Sequence, residues 1–195
     1  MKKLIMLLAV LAMGLGASAQ LSVGVRESHY VNVSYRFMHN WGVKLEQSVY
    51  GEKVGYQYFR LYASYTQSLG FISLKAQPYF GMTYNNSYSN GGIVLGASLN
   101  ACKLLDVDAA VIPHRDSGMG YTTCYYGGLA LNFGSGLSIT AAYTNRPEYR
   151  EPEKRLRGGF RFNVGHLSVH PELSIPVGSG AGRTVRMLMS MGYSF

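Results

Sequence analysis

The chain has 195 residues, a formal net charge of +8, and is rich in glycine (24) and tyrosine (16). This length is that of one domain. Beyond residue 19 no apolar run is long enough for a transmembrane helix, which excludes a helical membrane protein. A chain can still cross a membrane as a closed barrel of strands, and this composition is typical of alternating strands.

The N-terminus has the pattern of a secretory signal peptide. Lys2 and Lys3 precede an apolar run that ends at Ala17-Ser18-Ala19, a small-x-small cleavage site. We therefore predict a signal peptide over residues 1–19 and an exported domain over residues 20–195. Because the domain is exported, its basic charge does not indicate nucleic acid as a partner.

The exported part alternates between apolar and polar residues with a period of two. In "WGVKLEQSVY", Trp41, Val43 and Leu45 share one face, whereas Lys44 and Glu46 share the other. This period marks β-strands. It predicts twelve strands, at about 21–26, 30–38, 41–50, 54–68, 71–84, 92–102, 104–113, 121–133, 137–145, 155–164, 167–177 and 184–195.

Two features bear on the strand count and register. Residues 21–38 keep one parity throughout, but bacterial single-chain barrels have an even number of strands. That favours a hairpin at Glu27-Ser28-His29 and twelve strands, with ten as the alternative. Pro78 and Pro171 fall inside predicted strands, where proline removes a ladder hydrogen bond. We expect a bulge or a register shift at each.

The connections alternate in length. The turns "MHN", "LG", "KL", "GSG" and "GH" are short, and the alternate set, "NNSYSNGG", "HRDSGMG", "NRPEYREPEK" and "GSGAGR", is generally longer and more polar. Short periplasmic turns and longer external loops are typical of outer-membrane barrels. The fold class predicted is all-β: an antiparallel up-and-down transmembrane β-barrel.

Aromatic residues fall at the strand ends, where the membrane interfaces would lie. All of them have outward parity: Phe37, Trp41, Tyr65, Phe80, Tyr84, Tyr125, Phe133, Tyr143, Tyr193 and Phe195.

The final strand, "RTVRMLMSMGYSF", places Tyr193 and Phe195 on the outward face. It resembles the C-terminal signature of bacterial outer-membrane β-barrel proteins. The resemblance implies that the protein lies in the cell outer membrane, in contact with outer-membrane lipid and lipopolysaccharide. It also implies that Tyr193 and Phe195 form an assembly signal read by the barrel-assembly machinery.

The inward parity carries most of the charged residues in the strands. Besides Arg26, the predicted lumen-lining residues are Arg36, Lys44, Glu46, Arg60, Lys75, Asp106, Asp108, Arg157, Arg161, His170, Glu172 and Arg186. These side chains either fill a narrow barrel with salt bridges or line a polar passage with excess positive charge. Arginine and lysine rings favour anions in pores. Ile112 and Leu188 are apolar exceptions on this face.

The predicted interior is also asymmetric. Strands 92–102, 121–133 and 137–145 present small uncharged residues inward, while the opposite wall carries the arginines with Tyr58 and Tyr62. The small wall is expected to leave room for solute. It consists of Gly96, Ser98, Asn100, Gly128, Ala130, Asn132, Ser138, Thr140, Ala142 and Thr144.

Other charged clusters suggest weaker hypotheses. Arg146, Arg150, Lys154 and Arg155 form an external basic cluster that suits lipopolysaccharide phosphates. The interspersed glutamates favour an ordinary solvated loop instead.

His170 and Glu172 share the inward face, but no third metal ligand accompanies them, so a hydrogen-bonded pair is expected. We predict no cofactor; the sequence contains no phosphate loop or dinucleotide fingerprint.

An enzyme would need a catalytic group near the outer rim, where "PHRDSGMG" offers His114, Asp116 and Ser117, with Cys124 on the next strand. His114 and Ser117 do not share a face, so a rim hydrolase is a distant alternative.

The leading hypothesis is a porin-like channel for small polar or anionic solutes. The alternative is a closed structural barrel that contacts lipopolysaccharide or a partner.

Cys102 and Cys124 should lie at opposite ends of the barrel, too far apart for a disulfide bond, and we therefore expect two free thiols.

Overall fold

The computed structural model describes residues 20–37, 39–49, 57–145, 154–178 and 184–195. The signal peptide predicted over residues 1–19 lies outside this part. The described residues form twelve strands: β1 (Gln20–Arg26), β2 (Tyr30–Phe37), β3 (Trp41–Ser48), β4 (Tyr58–Leu69), β5 (Ile72–Thr83), β6 (Ser89–Cys102), β7 (Leu105–Asp116), β8 (Gly120–Phe133), β9 (Leu137–Thr144), β10 (Arg155–Val164), β11 (Leu167–Pro176) and β12 (Arg186–Ser194). Within the described ranges there is no helix of the length and apolarity that crossing a membrane requires.

The strands form one closed antiparallel barrel. Each pairs with its neighbours in sequence, and β12 pairs with β1 through contacts such as Val23 opposite Tyr193. The predicted all-β up-and-down barrel of twelve strands is therefore confirmed. The turns after β2, β4, β6, β8 and β10 have two or three residues and lie at one end, the short-turn end. The generally longer connections lie at the other, the long-loop end.

The first hairpin explains why the count is twelve and not ten. Glu27 and Ser28 have left-handed φ angles of 55° and 61°. The His29 amide donates a hydrogen bond to the Arg26 carbonyl at 3.2 Å. This turn reverses the chain between β1 and β2. Because the same alternation continues through both strands, the sequence pattern alone does not distinguish them from one long strand.

The two strand prolines do not shift the register, so the expected irregularities at Pro78 and Pro171 are wrong. Pro78 pairs with Ile93, and Pro171 pairs with Met189, in unbroken register. On the other side of each proline the ladder is interrupted and resumes in the same register. The missing N–H of each proline therefore interrupts the strand pairing locally, but it does not produce a bulge. Among the described strands, the pairing register shifts between β6 and β7, near Cys102.

The two faces of the barrel differ as the alternation predicts. Outward apolar side chains such as Leu61, Phe80 and Leu129 are exposed, as the lipid-facing side of a barrel requires. At the short-turn end, the outward rings of Trp41 and Tyr65 pack with centroids 4.9 Å apart. The interior contains inward side chains, among them the polar groups described next.

Candidate functional site

The long-loop half of the interior contains a chain of ion pairs that we call the ion-pair bridge, formed by Lys44, Glu46, Arg26, Glu27 and Arg157. Lys44 Nζ lies 2.9 Å from Glu46 Oε2, and Arg26 Nη2 lies 2.8 Å from Glu46 Oε1. Glu27 Oε1 lies 2.6 Å from both Arg26 Nη1 and Arg157 Nη1. The bridge runs from β3 through β1 and its turn to β10.

A second group surrounds Arg60 on β4. Arg60 donates hydrogen bonds to the phenol oxygens of Tyr58 (2.7 Å, from Nε) and Tyr62 (3.1 Å, from Nη1). Its guanidinium carbon lies 5.0 Å from the ring centroid of Tyr79, a cation–π contact. Arg60 therefore lies among three phenol rings, which surround its charge.

The Arg60 group is joined to the bridge and to β7. Tyr62 Oη donates to Glu46 Oε1 at 3.5 Å, and Lys44 Nζ lies 4.3 Å from the Tyr62 ring centroid. Tyr79 Oη is hydrogen-bonded to His114 Nδ1 at 2.7 Å. A connected polar layer therefore extends from β7 to β10 through β5, β4, β3 and β1. Glu46, Arg60 and His114 are buried within it, so this level of the interior is narrow.

The short-turn half is more open, and it contains basic side chains as well as the carboxylates of Asp106 and Asp108. It contains a cavity of about 360 Å³. Arg36 and Lys75 are exposed there, and Lys44 reaches the same space from the bridge. Its lining residues include no carboxylate: Gln20, Ser22, Ser34, Tyr35, Arg36, Gly42, Val43, Lys44, Ser64, Lys75, Gln77 and Ser194. A second cavity of about 280 Å³ shares Lys75 and Gln77 with it.

The remaining predicted lumen residues are scattered among smaller contacts. Asp106 accepts a hydrogen bond from Asn132 Nδ2 at 2.7 Å, and Asp108 accepts one from Ser98 Oγ. Arg161 is partly exposed opposite Ser138 on β9. Arg186 is exposed at the long-loop end of β12. These positions do not come together into one cluster, and their role as pore lining stays a prediction.

His170 and Glu172 do not form the expected hydrogen-bonded pair. His170 Nε2 lies 3.7 Å from Glu172 Oε1 but is hydrogen-bonded to Thr140 Oγ1 at 2.9 Å. The strand alternation places His170 and Glu172 on one face, but the hydroxyl of Thr140, which lies two strands away on the same part of the wall, is nearer. Among the described residues, no group of three or more metal-ligating side chains forms a metal site.

The external basic cluster also differs from the prediction. Arg146 and Arg150 lie outside the described residues, whereas Arg155 is not external: it opens β10 and is buried. Arg155 donates to Ser174 Oγ at 2.6 Å, to the Ser174 carbonyl at 2.9 Å and to the Thr184 carbonyl at 3.0 Å. Arg155 occupies an inward position of β10, so its side chain points into the barrel although the residue follows a charged loop.

The small-residue wall leaves less space than expected. Thr140 and Thr144 are buried, and the phenol of Tyr126 covers Gly128, where an added Cβ would lie 2.5 Å from Tyr126 Oη. Tyr126, on the same strand as Gly128, therefore covers part of this wall. Open space remains at the part of the wall formed by Gly96 and Ser98, beside Lys75.

Of the candidate rim hydrolase residues, His114 and Asp116 lie near each other, with 3.6 Å between His114 Nε2 and Asp116 Oδ2. His114 is bonded to Tyr79, and Asp116 accepts from the Gly118 and Met119 amides at 2.7 and 2.6 Å. Ser117 Oγ accepts from the Ser89 amide at 3.0 Å. Cys124 is buried in an apolar cluster with Tyr62, Tyr79, Val94 and Ile112. These groups stabilise the turn and the interior, and no nucleophile is paired with a base.

Sequence reasoning missed two participants in the polar layer. Glu27 was assigned only to a turn, although it is a centre of the ion-pair bridge. Tyr79 has the same parity as Lys75 on β5, so the alternation contained the signal that it faces inward. Nothing in the alternation indicates that a turn residue enters the barrel.

The comparisons with known proteins support the fold and no closer kinship. No protein-family model and no curated protein sequence matches the chain. The structure is similar to that of the KdgM porin in complex with disordered oligogalacturonate, with a TM-score of 0.68 and 15% sequence identity over 92% of this chain and 99% of that one. It is also similar to the NanC porin, with a TM-score of 0.54 and 12% identity over 91% of this chain and 98% of the other. The chain therefore shares the overall barrel fold of the KdgM and NanC porins.

Proposed function

We propose that the protein is a porin-like channel of the outer membrane that conducts small polar or anionic solutes. The observation that carries the proposal is the cavity in the short-turn half, which three basic side chains line without any carboxylate. Two of them, Arg36 and Lys75, are exposed within the barrel. Basic side chains grouped in a confined polar space raise the local concentration of anions.

The three basic side chains of the cavity differ in their surroundings. Lys44 is paired with Glu46 at 2.9 Å, so its field is partly offset. Arg36 and Lys75 face solvent in the cavity, together with the hydroxyl groups of Ser22, Ser34 and Ser64. Hydroxyls and cations together can replace part of the hydration shell of a passing anion.

Location and assembly follow the same proposal. The barrel fold is shared with porins, and residues 1–19 carry a signal-peptide pattern. The outward aromatic ends suit contact with outer-membrane lipid and lipopolysaccharide. Tyr193 and Phe195 then act as the signal for the barrel-assembly machinery. The short-turn end is periplasmic in this orientation, so the cationic cavity lies toward the periplasm.

A closed structural barrel is the second candidate, and the polar layer favours it. The buried side chains of Glu46, Arg60 and His114 narrow the long-loop half. A network of this kind can fill a barrel without any conducting role.

Planar-bilayer recording tests the proposal. The purified protein should give discrete channels whose reversal potential in a KCl gradient shows anion selectivity. The double variant Arg36→Gln/Lys75→Gln should lower that selectivity several-fold because it removes the two exposed cations of the cavity. Lys103→Gln, which removes a cation from the turn after β6, is the matched control and should leave selectivity unchanged. Absence of any conductance from correctly folded protein would instead support the closed barrel.

A further inference from the structure

The turn between β1 and β2 directs a carboxylate into the barrel. Glu27 is only 6% exposed although it belongs to a turn at the barrel end. Its amide donates to Ser190 Oγ on β12 at 3.0 Å, and the Ser28 amide donates to the Met189 carbonyl at 2.8 Å. These two bonds attach the turn to β12 and hold Glu27 over the interior.

The contacts of Glu27 cross the interior. Its partner Arg157 lies on β10, which is separated from β1 along the wall by β11 and β12. The Glu27–Arg157 pair, at 2.6 Å, therefore crosses interior space and does not follow the wall. Arg26 continues the connection to Glu46 on β3. Glu27 is thus the link between the two sides of the ion-pair bridge.

Glu27 supplies one of the few negative charges of the ion-pair bridge. The bridge contains three cations, Arg26, Lys44 and Arg157, and two carboxylates, Glu27 and Glu46. Glu27 is within 2.6 Å of two of the cations. Without its carboxylate, one anion is lost from the narrow level, and Arg26 and Arg157 are no longer joined through it.

We propose that Glu27 determines the conductance and selectivity of the channel, because its carboxylate ties Arg26 to Arg157 across the interior at the level of the polar layer. Removing that tie widens the passage and raises its preference for anions. The inference rests on the proposed channel function, of which it specifies the narrow part.

Single-channel recording of four proteins tests it: the wild type, Glu27→Gln, Glu27→Gln/Arg157→Gln and Asp106→Asn. Glu27→Gln should raise both conductance and anion selectivity several-fold. The double variant removes one charge of each sign, so it should raise conductance with little change in selectivity. It also leaves no guanidinium without its carboxylate, so it remains informative if the single variant does not fold. Asp106→Asn is the matched control, since it removes an inward carboxylate that is hydrogen-bonded to Asn132 and lies outside the bridge. It should leave conductance unchanged.

The outcomes separate this inference from the proposed function. A conducting wild type with an unchanged conductance in both Glu27 variants would overturn the inference and leave the channel function standing. An equal rise in Asp106→Asn would also overturn it, because lumen charge alone would then explain the effect. A silent wild type beside a conducting Glu27 variant would support the tie and overturn the proposal of an open channel. Silence of all four folded proteins would overturn both.

Discussion

The phenol of Tyr58 lies directly against Gly81: a Cβ on residue 81 would stand 2.1 Å from Tyr58 Oη. This close approach places Tyr58 Oη where it donates to Asn90 Oδ1 at 2.6 Å and accepts from Arg60 Nε at 2.7 Å. The absence of a side chain at residue 81 therefore helps to position Arg60, two strand positions along from Tyr58, in the centre of the polar layer.

Replacing this glycine should disturb the layer. Gly81→Ala forces the buried Tyr58 ring to move, and we expect a loss of about 1–3 kcal/mol in the free energy of unfolding. Urea titration of the protein refolded into lipid vesicles measures it. Gly127→Ala is the control, because a Cβ there meets no atom within 4 Å. Equal stability of the two variants would mean that Tyr58 does not depend on residue 81.

Two adjacent alanines near the middle of β7 test which face meets lipid. Ala109 is exposed on the outward face, whereas Ala110 lines the smaller interior cavity. Ala109→Arg should cost about 2–4 kcal/mol if the residue lies at mid-membrane. Ala110→Arg should cost less, since the cavity offers polar surroundings that include Asp108. The same vesicle titration compares them, and a larger loss for Ala110→Arg would contradict this assignment of the faces.

The cysteines should differ in reactivity without forming a bond. Both are free in the structure: Cys102 is exposed at the short-turn end of β6, and Cys124 is buried on β8. Maleimide should label Cys102 in the folded protein and reach Cys124 only after denaturation. Mass spectrometry of unreduced protein should find two thiols. A bridge between the two cysteines would contradict the strand order.

The end of β12 should matter for assembly. The Phe195 amide donates to the Leu21 carbonyl at 2.9 Å across the β1–β12 seam, and its ring packs edge-on against Tyr193 with centroids 4.9 Å apart. Phe195→Asp should lower the amount of heat-modifiable barrel in the outer membrane because it removes an outward aromatic group. Phe195→Tyr keeps the ring and should assemble normally. Wild-type levels of Phe195→Asp would refute an assembly role for this residue.

The fold was accessible from the sequence because strand alternation is a local property. A residue two positions from Trp41 returns to the same face in any strand, so the parity of Val43 and Lys44 is set before any pairing occurs. Parity also placed Ile112 and Leu188 inside, where both are buried despite being apolar exceptions. Alternation did not show that the strands keep their register at the two prolines, because it does not reveal which hydrogen bonds between strands can be missing.

The contacts inside the barrel required the tertiary structure. Parity assigns Arg157 and Glu46 to the interior, but the distance between them around the wall depends on closure and strand stagger. The pairing of nearby strands, which alternation does not give, decides two other contacts: His170 is hydrogen-bonded to Thr140 on β9, and Arg155 to Ser174 on β11. The sequence by itself determined the strands and their faces. Only the closed barrel decided which charges meet, because closure brings side chains from distant strands, and a turn residue such as Glu27, into one confined space.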